Sequence, residues 1–273
     1  MPEPIYTAAV VFQRDDGAIL TARKRGTSRF MLVGGKPEPG ESPRQAAVRE
    51  ASEEVNIVLD ADAYEFLGMW QTAAANEAGR DVHGTVFRAR KPLAASPTPA
   101  AEIEEVRWLE PHGALPDNLA PLLATRVLPA LAWRQGISGL SDPASAPWDC
   151  GHLPVAQYGT PGPLRRRLTD AIVTGQKTAT TSRYCDYEPG ELPHVGTLEQ
   201  LADEHGQLLG LVETMAVSVV ALGQVTDEHA RAEGEGFADA AAWRRAHEEF
   251  WGQGHLPDDE LIVVERFTFH PAP

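Results

Sequence analysis

From residue 136 to residue 155 the chain reads GISGLSDPASAPWDCGHLPV, rich in glycine, serine and proline and without any apolar period. Such a stretch cannot serve a hydrophobic core, so the 273 residues divide there into two pieces, each long enough to bury a core of its own. The expected organisation is one domain over residues 1–136, a linker over 137–152 and a second domain over 153–273. Charge separates the pieces too. Residues 1–136 carry 15 basic and 18 acidic side chains, whereas residues 137–273 carry 9 and 21. With −15 on the whole molecule, sequence-independent binding to duplex DNA is disfavoured by long-range repulsion. No apolar run approaches a membrane span, and the opening MPEPIYTAAVVF lacks the basic start and apolar core of a secretory signal. Two cysteines, Cys150 and Cys185, form no metal-ligand pattern. A cytoplasmic protein without membrane partners is expected.

In the first piece residues 5–14 read as a strand, Asp15-Asp16-Gly17 as a hairpin turn, and residues 18–23 as the returning strand. A glycine-rich loop at 34–40 precedes an unbroken run of helix formers from Pro43 to Val55. Strands are expected at about 64–74 and 82–90, with a short one at Val106–Leu109. A helix at about 118–135 follows from the spacing of Leu119, Leu122, Leu123, Val127, Leu128 and Leu131.

The helix at 43–55 carries the strongest chemical signal. Glu50, Glu53 and Glu54 stand at i, i+3 and i+4, which puts three carboxylates on one face. Like charges at that spacing repel, and a bound hard cation relieves them; oxygen ligands suit Mg²⁺ or Mn²⁺. Glu41 lies near the helix start, where Arg49 can tie it or Glu53 into a salt-bridge network. The Gly34-Gly35 pair lets the backbone approach closely, so the Gly35 carbonyl can itself be a ligand. Gly35, Glu41, Arg49, Glu50, Glu53 and Glu54 are spaced as in the Nudix box, which this segment resembles. Ala51 and Asn56 depart from that pattern; asparagine is the next-best residue after glycine for a left-handed helix end. The resemblance implies an αβα sandwich that hydrolyses a nucleoside diphosphate linked to another group. It implies metal on Glu53, Glu54 and the Gly35 carbonyl, with Glu41, Arg49 and Glu50 as the catalytic set and Glu50 orienting or deprotonating water. Glu102, ahead of Trp108, is a further candidate ligand, in competition with Glu104 and Glu105. Phe30 and Trp70 are candidates to stack a base. Nucleoside triphosphates, ADP-ribose and sugar nucleotides all remain open as substrates.

Beyond the linker the pattern gives a helix from about Pro163 to Thr174, strands near 178–183, 196–202 and 208–222, a helical stretch over about 227–251, and a last strand from Leu261 to Phe269. This is an α+β unit whose short strands can curl into a barrel. Lys177 and Thr180 could approach each other across a turn as a base and a nucleophile. The GQKTAT segment at 175–180, Val212-Glu213-Thr214 and the run from Thr226 through Glu233-Gly234-Glu235-Gly236 to His247 together resemble the ASCH domain. That resemblance implies a PUA-like β-barrel with flanking helices, associated with RNA binding or with small-molecule amidohydrolysis, and a site of Lys177, Thr180 and Glu213. RNA or a modified nucleoside is therefore an expected partner of this half, and a small nucleotide of the other. Acidity favours a local small-molecule site, since only Arg165 to Arg167, Lys177 and Arg183 offer a compact basic patch. The alternative is a catalytically idle Nudix nucleotide sensor joined to an RNA-binding ASCH domain.

Overall fold

The computed structural model describes residues 3–110, 115–134, 147–188, 190–252 and 254–273. It divides into two compact units, Met1–Cys150 and Gly151–Ala272. Most of the expected linker lies outside the described residues. Among the described residues no helix is long and apolar enough to cross a membrane.

The first unit is built on a four-stranded mixed sheet in the order β3-β1-β5-β4, formed by β1 (Ile5–Val11), β3 (Val33–Gly35), β4 (Tyr64–Ala73) and β5 (Asp81–Ala89). β1 runs parallel to β5 and antiparallel to β3. The expected hairpin after β1 is present only at its tip, where Arg14 and Ala18 are joined across the turn and the Leu20 amide reaches the Phe12 carbonyl at 2.9 Å. β2 (Ile19–Lys24) then leaves β1 and pairs antiparallel with β6 (Ile103–Leu109) instead. Local turn chemistry thus set the reversal, and tertiary pairing chose the partner.

Helix α1 (Pro43–Val55) starts on a capping box in which Ser42 accepts from the Gln45 amide and the Gln45 side chain accepts from Ser42. It ends on Asn56 at φ 55°, in the left-handed region, as expected for that residue. Ala46, Ala47, Ala51 and Val55 form its buried stripe. Arg44 is buried and donates to the Ala61 and Tyr64 carbonyls at 2.8 and 2.7 Å, with its guanidinium 4.8 Å from the Phe87 ring centre. The second helix begins at Pro121 rather than 118, and its Leu123–Val127 turn is wider than α before α2 (Leu128–Arg134). Pro129 has no amide to give the Thr125 carbonyl, and a widened turn accommodates that gap. Leu122 packs on Gly84 of β5, where a Cβ would lie 2.5 Å from its Cδ2. Gly84 and Phe87 are three residues apart on one strand, so the two helices cover opposite faces of the sheet, giving an αβα sandwich.

The second unit is α+β. Its antiparallel sheet, a curled half-barrel, has the order β7-β10-β9-β8, with β7 (Ala179–Arg183), β8 (Leu198–Ala202), β9 (Leu208–Ala221) and β10 (Leu261–Pro271). A register shift between Arg266 and Phe267 marks a bulge against β9. Helix α3 (Pro163–Val173) packs Ile172 with Leu201, Val212 and Phe267. The single helical stretch expected over 227–251 is two helices, α4 (Asp227–Ala232) and α5 (Ala240–Phe250). Gly234 and Gly236, at φ 67° and 88°, break it. Gly234 has no alternative: a Cβ there would meet the Gln176 carbonyl at 2.6 Å, so the loop after α4 lies directly against the GQKTAT segment. Trp243 is fully buried with Leu222, Ala230, Leu256 and Ile262, holding α5 to the sheet.

Candidate active site of the N-terminal half and the ligand cavity of the C-terminal half

Arg49 organises the carboxylates of the first unit. Its Nε and Nη2 meet the two Glu41 oxygens at 2.9 and 3.0 Å, while Nη1 meets Glu50 Oε1 and Glu53 Oε2 at 3.0 Å each. Nη2 also donates to the Lys36 carbonyl at 3.2 Å. The guanidinium holds the Glu41 carboxyl below the usual range. Glu50 presses on Gly35 so closely that a Cβ there would lie 2.1 Å from its Oε1. Gly35→Ala must therefore displace Glu50, and a loss of activity of about tenfold or more with little change in stability is the expected outcome of steady-state assay and thermal melting.

Glu54 stands one turn beyond Glu50 on the same side of α1 and has different partners. It is 1% exposed; its Oε2 accepts from the Gly34 amide at 2.9 Å, and its Oε1 stands 3.1 Å from Lys24 Nζ without a hydrogen-bond donor in line. Burial pushes its carboxyl up to about 7, with Lys24 and the Gly34 amide opposing and Glu50 adding to the rise. Lys24 also donates to Glu102 Oε1 at 2.9 Å and holds that carboxyl down. Beside these groups opens a cavity of about 460 Å³, lined by Lys24, Gly34, Gly35, Arg49, Glu50 and Glu102 at one end and by aliphatic residues such as Met31 and Leu122 at the other. One expectation needs correction. Phe30 and Trp70 do not line this cavity; they are 3% and 4% exposed core residues. Arg107 lies 4.4 Å from the centre of the Phe30 ring, and Trp70 fills the space that Gly68 leaves open. Glu53, with its side chain 55% exposed, touches Arg49; neither it nor Glu54 is part of the lining.

In the second unit Lys177 and Thr180 both line a cavity of about 840 Å³, together with Tyr158, Glu235, His247 and Trp251. Glu213 does not. The register pairs Thr180 with Glu265 and Glu213 with Thr268, three residues apart on β10, so the two side chains leave opposite faces of the sheet. Glu213 is fully buried on His270 Nε2 at 2.8 Å. The carboxylates at Lys177 are Glu235, 3.2 Å away, and Glu233, whose carbonyl takes a hydrogen bond at 3.2 Å and whose Oε2 lies 3.8 Å away. Glu233 is 1% exposed and also meets Thr181 Oγ1 at 2.6 Å, His229 Nε2 at 2.9 Å and His247 Nε2 at 3.3 Å. Burial works against its charge, but His229, His247 and Lys177 outweigh that and hold its carboxyl far below the usual range. Glu233 carried only a weak sequence signal, its spacing of four from His229. The expected basic patch is largely engaged: Arg166 pairs with Glu204, Arg183 with Glu260, Lys177 is 2% exposed and Arg165 donates to the Gly159 carbonyl, while Arg167 lines the cavity.

Glu265, on the face of Thr180, is pushed up to about 7 by burial and by Glu199 of β8, with a Thr214 hydrogen bond opposing. Tyr158 and Tyr187 share its surroundings. A carboxyl raised from 4.5 to about 7 on folding stabilises the fold below pH 4.5, and that contribution is lost as pH rises through 7. The second unit should therefore lose stability between about pH 5 and 8, and Glu265→Gln should flatten that slope in urea denaturation.

The NUDIX domain model matches residues 3–131 and the ASCH domain model residues 156–269. A "MutT-like protein" of Streptomyces ambofaciens is 30% identical over 130 residues, spanning 47% of this chain and 79% of that protein. The chain belongs to the Nudix family. The CTP pyrophosphohydrolase of Escherichia coli (strain K12) is 34% identical to this Nudix chain over 121 residues, 43% of the chain and 84% of that protein. An ASCH domain from Lactobacillus crispatus JV V101 is 28% identical, covering 52% of this chain and 94% of its own, at a TM-score of 0.39. The protein is thus a Nudix hydrolase domain followed by an ASCH domain, and Nudix hydrolases generally need divalent metal ions. The Nudix residues fit such an ion. Glu54 Oε1 is a buried carboxylate oxygen with no hydrogen-bond donor in line, held behind Lys24 and Gly34, which line the cavity with Glu50, Glu102 and the Gly35 backbone. That is an all-oxygen donor set of the kind a hard cation takes.

Proposed function

We propose that the Nudix domain hydrolyses a phosphoanhydride of a nucleoside triphosphate, adding water to give a nucleoside monophosphate and pyrophosphate. The observation that carries this reading is the buried Glu54 oxygen, which has no hydrogen-bond donor in line and sits directly behind Lys24 and Gly34 at the carboxylate end of the 460 Å³ cavity. The likeness to a CTP pyrophosphohydrolase supports the substrate class. When bound, Mg²⁺ or Mn²⁺ supplies charge neutralisation on the phosphates and a lowered pKa for the attacking water. Glu53, Glu54, Glu102 and the Gly35 carbonyl are the residues that would hold it. Glu50, fixed by Arg49 against Gly35, orients or deprotonates the water, and Glu41 locks Arg49. Arg49 is a positioning residue. The aliphatic end of the cavity receives the nucleoside. A panel of nucleoside triphosphates, ADP-ribose and sugar nucleotides with Mg²⁺, read by chromatography of the products, tests the assignment. Monophosphate and pyrophosphate from a triphosphate are expected; cleavage of sugar nucleotides alone would overturn the substrate class.

For the ASCH half we infer a small-molecule site in the 840 Å³ cavity rather than an RNA-binding surface. The observation behind it is the pairing of Arg166, Arg183 and Lys177 with carboxylates, while Arg167, of the same patch, lines the cavity itself. Fluorescence anisotropy of the full chain with single-stranded RNA should show no binding at physiological salt. Binding that falls steeply with added salt would overturn this reading.

A further inference from the structure

Three cations line the Nudix cavity: Lys24, Lys36 and Arg49. Four carboxylates, Glu38, Glu50, Glu77 and Glu102, line it with them. An anionic substrate therefore meets a surface of unfavourable charge unless a cation is free to contact it. Arg49 is not free. A guanidinium side chain has five N–H donors, and those of Arg49 go to two Glu41 oxygens, Glu50, Glu53 and the Lys36 carbonyl. Lys36 is 61% exposed, and its partner Glu77 is 3.8 Å away, a loose surface pair. Lys24 differs from both. It is the last residue of β2, its side chain is 26% exposed, and it is fixed from two directions by Glu102 at 2.9 Å and Glu54 at 3.1 Å. Only the bond to Glu102 uses an N–H in line, so the ammonium keeps donors for the cavity that it borders.

We infer that Lys24 is a phosphate-contacting residue of the Nudix site, its ammonium aimed by Glu54 and Glu102 at an oxygen of the substrate's phosphate chain. This rests on the hydrolase reading above. Glu54 and Glu102 aim the charge at the carboxylate end, so the phosphate chain lies there and the nucleoside toward Met31 and Leu122. The position also gives Lys24 a role that Arg49 cannot fill.

The test uses the full chain with Lys24→Met, Lys24→Gln and Lys24→Arg. Titration calorimetry with inorganic pyrophosphate in Mg²⁺ measures the contact, and electron paramagnetic resonance of Mn²⁺ without phosphate measures the metal site. Losing one charge-assisted donor should weaken pyrophosphate by about tenfold in both neutral variants, with Mn²⁺ affinity held within about twofold, and arginine should recover most of the loss. Unchanged pyrophosphate affinity in the neutral variants would overturn the inference. So would a parallel loss of Mn²⁺ affinity, which would make Lys24 a brace for Glu54. The hydrolase reading fails separately, if the wild-type chain cleaves no nucleotide.

Discussion

Glu54→Gln is expected to lower kcat/KM for the preferred nucleotide by about a thousandfold, with the fold retained. An outer partner of a metal ligand typically accounts for about 10–100-fold in metal affinity or activity, so losing a ligand's charge should exceed that. Glutamine keeps the shape of the side chain and can keep the acceptor for the Gly34 amide, so α1 should pack as before. Circular dichroism unchanged from the wild type, alongside the lost activity, would show that the effect is chemical. A variant within about tenfold of wild type would remove Glu54 from the site.

The second large effect lies in the ASCH half and concerns stability. Glu233→Ala should destabilise that unit by about 3–5 kcal/mol, because it leaves a buried lysine and two histidines without the carboxylate they converge on. Glu235 remains beside Lys177 and limits the damage. Urea denaturation followed by tryptophan fluorescence is suited to the measurement, since Trp243 and Trp251 sit against His247. A loss under about 1 kcal/mol would mean that the cluster rearranges freely and holds nothing in place. Lys177→Met should cost less than Glu233→Ala, since Glu233 keeps both histidines.

What was legible in the sequence follows from range. Helix α1, its cap at Ser42 and its end at Asn56 are local, and the carboxylate spacing is fixed once the helix is. The Nudix and ASCH resemblances carried the two-domain fold for the same reason, since their motifs are short and dense. What failed was decided at a distance. β2 turns back after Gly17 as its turn residues dictate, yet its partner is β6, more than eighty residues on. The EGEG break in 227–251 is forced by the backbone of Gln176, some sixty residues earlier. Aromatic side chains look alike in core and pocket, and only the packing of Phe30 under Arg107 and of Trp70 over Gly68 tells which they are. Glu213 and Glu233 are both glutamates of the ASCH pattern; strand register sends Glu213 to the face away from Thr180, and the end of α4 brings Glu233 to Lys177. Lys24 gave no signal because its partners come from α1 and from the residue before β6.

The central claim is that the carboxylate helix of the first unit turns over a nucleoside triphosphate with a divalent metal. The most direct measurement is pyrophosphate release by the full chain from CTP and the other nucleoside triphosphates, run in parallel in Mg²⁺ and in excess chelator. Release in Mg²⁺ that stops in chelator and returns when Mg²⁺ is restored is the predicted result. Release that persists at the same rate in chelator, or no release from any triphosphate in Mg²⁺ or Mn²⁺, would contradict it.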